Sequence, residues 1–122
     1  MKQKVLESAQ LASIAIEGLE EIKGQDIVLM DLRKVESAIC DYFVMCTGTS
    51  DRHTQALADS VMKVMGSIKE KPVSREGYQL GEWILLDYIS VIVHIFQREK
   101  REFYRLEDLW GDAKFKQVST SK

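Results

Sequence analysis

Thr47-Gly48-Thr49-Ser50-Asp51-Arg52-His53 is the segment whose residue types come closest to a small-ligand site. A strand that runs through a glycine turn into a helix start presents backbone N–H groups and the positive end of a helix dipole, which suits an anion. The hydroxyls of Thr49 and Ser50 and the Arg52 guanidinium add donors. The same residues also read as plain capping, with Ser50 or Asp51 supplying the N-cap oxygen and Gly48 the turn. A P-loop needs further glycines and a Lys before the Ser/Thr, and neither is present.

Asp31, Asp41, Asp51 and Asp87 fall at or just past predicted strand ends. Two of them converging on Mg²⁺ would be the basis of phosphoryl or nucleotidyl transfer. The Asp-x-Asp or Asp-x-Glu pair that projects two acids from one strand face is missing, since Asp51 stands alone and Asp59 falls inside a predicted helix. These acids read as solvated, or as facing a basic partner. His53, His94, Cys40 and Cys46 come from separate predicted elements without CxxC or HxxxH spacing, so no metal site is expected. No G-x-S-x-G elbow supports a serine or cysteine nucleophile. The residues predict a binding protein without cofactor, not an enzyme.

Glu82-Trp83-Ile84-Leu85-Leu86-Asp87-Tyr88 carries a different chemistry. On a strand, Trp83, Leu85 and Asp87 point to one face and Ile84, Leu86 and Tyr88 to the other. Two large aromatics and an acid near a sheet edge are the makings of an interface centre. The alternative is structural, with Trp83 packed beneath a helix and Tyr88 shielding a hairpin.

The elements that position these residues follow from hydrophobic period. Val5, Ala9, Ala12, Ile16 and Leu19 make an amphipathic stripe that predicts a first helix closed by Gly24. The apolar runs within Asp26–Leu32 and Asp41–Thr47 predict two buried strands, joined by a polar loop over Arg33–Ser37. Leu57, Val61, Val64 and Ile68 predict a second helix, with Gly66 as a weak point and Pro72 beyond it. Val73–Gly77 predicts a short edge strand, and Glu82–Tyr88 and Ser90–Gln97 a tight hairpin. A last helix is expected from near Arg98, with an Arg98–Glu102 pair and a face of Phe103, Leu106 and Trp110. Asp112–Lys122 reads as a polar, frayed tail. The order α-β-β-α-β-β-β-α implies a single α/β domain over residues 1–110, a mixed sheet covered by helices, followed by a flexible tail over 111–122.

The chain has 122 residues, 45% hydrophobic and 30% charged, enough for one core without disulfides or metal. Its 19 acidic and 17 basic residues give a net charge of −2, which argues against sequence-specific nucleic-acid binding and suits a basic protein surface. Cys40 and Cys46, about 20 Å apart if on one extended segment, predict free thiols. With no signal-peptide pattern and no apolar run of membrane-spanning length, a cytoplasmic protein is expected.

Several ordered blocks resemble the ribosomal silencing factor (Iojap) family. They are K-G-Q-D-I at Lys23–Ile27, D-Y-F-V-M-C-T-G-T-S-D-R-H at Asp41–His53, E-G at Glu76–Gly77, E-W-I-L-L-D-Y at Glu82–Tyr88, V-H-I-F at Val93–Phe96 and R-E-F-Y-R-L-E-D-L-W at Arg101–Trp110. The resemblance implies a nucleotidyltransferase-like α/β fold without established catalysis. It also implies a translational repressor that binds the large ribosomal subunit through ribosomal protein L-fourteen and sterically blocks small-subunit joining, notably in starvation or stationary phase. Organellar relatives act in large-subunit assembly, and members tend to dimerise when free. Carried onto this chain, the contact surface centres on Trp83, Ile84, Asp87 and Tyr88, with Glu76, Asp41, Tyr42, Ser50, Arg52 and His53 as further candidates.

Overall fold

The computed structural model describes residues 6–105 and 114–119. The elements are α1 (Ser8–Glu21), β1 (Gln25–Asp31), β2 (Tyr42–Gly48), α2 (Asp51–Ser67), β3 (Ser74–Glu76), β4 (Trp83–Asp87), β5 (Val91–Gln97), α3 (Arg98–Tyr104) and β6 (Lys114–Ser119). The first eight follow the expected order. The ninth corrects the expected tail: Lys114–Ser119 is a strand antiparallel to β1, with Lys116 opposite Leu29 and Gln117 opposite Val28. Leu106 and Trp110, expected on the buried face of the last helix, lie outside the described residues.

The six strands form one mixed sheet in the order β3-β4-β5-β2-β1-β6. Only the central pair β2–β5 is parallel, in register from Tyr42 opposite Val91 to Gly48 opposite Gln97. Every residue of β2 is buried, which is why its sequence shows no polar alternation. Tyr42, Val44 and Cys46 join Val91, Val93 and Ile95 in the core beneath α1 and α2. Phe43 and Met45 join Ile92 and Phe96 in a second core on the opposite face.

The two long helices cross closely at Gly18. A Cβ there would lie 3.0 Å from the Val61 Cα and 2.9 Å from a Val64 methyl, so glycine sets the helix spacing. The Ser60 hydroxyl donates to the Gly18 carbonyl at 2.7 Å across this contact. Gly24 does not take the left-handed closing position of α1 itself; Lys23 does, at φ 60°. The Gly24 N–H then reaches back to the Leu19 carbonyl at 2.9 Å, and Lys23 to Glu20 at 3.1 Å, which completes a Schellman closure. Lys69 closes α2 the same way, at φ 65°, with Lys69 bonded to Gly66 and Glu70 to Met65. Each lysine places a cation at the negative end of its helix. α2 runs through Gly66 without interruption.

Candidate functional site

The Thr47–His53 turn resolves as a cap. The Ser50 side chain accepts the His53 N–H at 3.1 Å, and the Asp51 carboxylate accepts the Arg52 N–H at 2.8 Å. The Thr49 N–H donates to His53 Nδ1 at 2.9 Å. The ring proton therefore sits on Nε2, which donates to the Ile22 carbonyl at 2.8 Å. The N–H groups of Thr49, Arg52 and His53 are thus committed to side chains within the turn, and the anion reading loses them. His53 is half-buried and ties the end of α1 to the start of α2, while Ser50 and Arg52 stay at the surface.

The four strand-end acids do not converge. Asp31 and Asp87 end β1 and β4, and Asp41 precedes β2, so these three share one end of the sheet. Asp51 follows β2 at the other end. Asp31 takes Arg33 through two bonds, at 2.9 and 2.7 Å, and this pairing holds its carboxyl below the usual range. Asp87 accepts the Ile89 N–H at 2.8 Å inside the β4–β5 turn. Ile89 there adopts φ 74°, unusual for a β-branched residue. No group of three or more His, Cys, Asp or Glu among the described residues is arranged to hold a metal. Cys40 and Cys46 are free, and burial pushes their thiols up to about 11 and about 12.

β4 splits the aromatic block as its alternation predicts, with consequences for the proposed contact surface. Ile84 and Tyr88 are buried with Leu86 on the helix-covered face, and Tyr42 lies in the same core. They are corrections to that surface, because a side chain enclosed by α1 and α2 cannot reach a partner. The Tyr88 hydroxyl is buried without a hydrogen-bond partner, and burial pushes its pKa up to about 12. Trp83, Leu85 and Asp87 take the other face and remain half-buried. Glu76 is exposed on β3, the sheet edge, where its carboxylate accepts the Ser74 hydroxyl at 3.2 Å.

Trp83 is held by His94 and Phe96. Its indole N–H donates to His94 Nδ1 at 3.0 Å, and its ring stacks on Phe96 with centroids 5.0 Å apart. His94 meets the Phe43 ring edge-on at 4.7 Å. Burial pushes the His94 pKa down to about 4, so the imidazole is neutral and its Nδ1 free to accept. The Gly81 carbonyl, two residues before Trp83, is held from α2 and β5. The Thr54 hydroxyl lies 2.6 Å from the Gly81 carbonyl, and Gln97 Nε2 donates to the same oxygen at 3.0 Å. Gly81 itself sits at φ 69°, with Asp51 so close that a Cβ would fall 2.9 Å from its Cα.

Sequence reasoning missed Leu80, Thr54 and Gln55. Leu80 is 73% exposed and, with Trp83, Glu82 and Lys100, lines a recess of about 170 Å³. Gln55 donates to the Tyr78 carbonyl at 2.8 Å, so α2 grips the 77–82 loop at both ends. The available signal was the Gly77–Gly81 spacing, which marks a loop held against another element.

A mixed six-stranded sheet with α1 and α2 packed on one face and Trp83 half-buried on the other defines a small α/β domain. The chain belongs to the ribosomal silencing factor family, whose model, described as "Ribosomal silencing factor during starvation", matches residues 5–122. It is 40% identical over 101 residues to the ribosomal silencing factor of Haemophilus influenzae, covering 83% of this chain and 98% of that one. It is similar to a crystal structure of a Chromobacterium violaceum protein, with TM-score 0.83 and 35% identity over 96% of this chain and 94% of the other. It is also 33% identical over 95 residues to a mouse protein named for mitochondrial assembly of the ribosomal large subunit, covering 75% of this chain and 41% of that one. No helix among the described residues is long and apolar enough to cross a membrane.

Proposed function

We propose that this chain is a cytoplasmic translational repressor that docks on the large ribosomal subunit through ribosomal protein L-fourteen and keeps the small subunit from joining. The observation that carries the reading is the fixed Trp83. An aromatic whose N–H and ring face are already satisfied loses little freedom on binding and fits the profile of an interface anchor. Leu80 extends the apolar contact, and Glu76 and Asp87 supply charge for a basic partner. Asp41, Ser50 and Arg52 border the surface at its two ends. The mechanism is occupancy: the site needs affinity and bulk, with no cofactor and no reacting group. Free chains pair as a homodimer that docking need not preserve.

Co-sedimentation with isolated large subunits, small subunits and preformed ribosomes tests this. Binding to large subunits, with joining blocked when the protein is added first, is the expected result. Absence from every particle at low salt would overturn it. The mouse relative favours a second reading, an assembly factor for the large subunit, which predicts precursor particles in cells lacking the chain.

A further inference from the structure

Across the sheet from Trp83, beyond β5 and β2, lies a cavity of about 350 Å³ beside β1 and β6. Arg98, Arg101 and Arg105 all line it, and their i, i+3, i+7 spacing brings them to one side of α3 and its closing turn. The cavity adjoins the carboxyl ends of the parallel strands β2 and β5, where open α/β sheets commonly place ligands. Its wall includes Val28 and Gln117, directly opposite each other on β1 and β6.

Two of the guanidiniums are positioned by the strands. Asp26 stands in a left-handed conformation, φ 48°, at the irregularity that opens β1. Its carboxylate takes Arg98 at 3.0 Å and its carbonyl takes Arg101 at 2.8 Å. Arg101 also donates to the Thr47 hydroxyl at 2.8 Å. Among the described lining residues the three arginines stand with two carboxylates, Asp26 and Glu102.

We propose that this cavity binds a phosphate group, carried by a free nucleotide or by an RNA backbone. Guanidinium groups match phosphate oxygens in pairs, and groups already held in place lose little entropy on binding. The site is distinct from the Trp83 surface and does not rest on the ribosomal reading. It also differs from the Thr47–His53 turn, whose N–H groups are spent on side chains.

The test is isothermal titration of the intact chain with inorganic phosphate, adenosine monophosphate, adenosine and a short single-stranded RNA. Saturable binding of the monophosphate but not of adenosine supports a nucleotide phosphate. Binding of the RNA alone, weakening as salt rises, supports a backbone phosphate. Arg105→Gly removes one guanidinium at a position of φ 45°, where glycine is unstrained, and is expected to weaken binding about tenfold. Glu102→Gln removes an acid from the rim and is expected to tighten binding, a gain that a purely structural cluster would not produce. No binding of any phosphate probe, or binding unchanged in both variants, overturns the proposal.

Discussion

The indole N–H of Trp83 donates to Nδ1 of His94, 3.0 Å away, and the other ring nitrogen of this buried histidine has no partner. A histidine can accept this bond only while neutral, and burial keeps it so. One interaction therefore links a half-buried aromatic of the sheet to the protonation of a core residue.

Stability should fall as pH drops from about 6.5 to about 4. The folded chain holds His94 at about 4 against an ordinary 6.5, so the unfolded chain binds more protons across that window. The full loss is about 3 kcal/mol. Denaturant unfolding at several pH values should show this slope, and His94→Gln, which still accepts but does not titrate, should flatten it. A slope unchanged in that variant would assign the pH response to other groups.

Glu76→Lys and Leu80→Asp alter exposed side chains and should leave thermal melting nearly unchanged. Each should weaken large-subunit binding by about tenfold or more if the β3–β4 edge is the contact surface. Ile84→Ala should instead lower stability by about 2–5 kcal/mol through a core cavity. Normal binding by both surface variants would place the contact elsewhere.

Alanine should act with opposite sign at two helical glycines. Gly18→Ala forces α1 against Val61 and Val64, at a cost of about 1–3 kcal/mol. Gly66→Ala meets open space and should gain about 0.5–1 kcal/mol from helix propensity. Paired melting curves check both, and a destabilised Gly66→Ala would refute the packing described for α2.

Ending the chain after residue 113 removes β6 and bares the β1 edge. The truncated protein should melt at lower temperature and self-associate more readily, since an unpaired edge strand recruits others. Light scattering and melting together measure this. An unaffected truncation would show that β6 adds nothing to the sheet.

The element order through α3 and the face alternation of β4 were legible because each depends on local period. Trp83 and Ile84 are neighbours in sequence yet belong to different cores, so a contiguous block suggests a surface that the strand then divides. β6 was not legible: Lys114, Lys116 and Gln117 give it an edge strand's polarity, and only pairing with β1 distinguishes that from a tail. The arginine-lined cavity was equally hidden, because it depends on Asp26, Thr47 and Arg101 meeting from three distant stretches.

The lone parallel pair at the centre of the sheet has a consequence for the newly made chain. Tyr42 pairs with Val91 and Gly48 with Gln97, so the middle of the fold must wait for α2, β3 and β4 to be synthesised and then close a long loop, a slow step for any polypeptide. Trp83 takes its stacking and hydrogen-bond partners from β5, and until that strand has emerged from the exit tunnel the tryptophan has nothing to hold it. A nascent copy that has not yet released β5 therefore lacks the assembled Trp83–His94–Phe96 cluster.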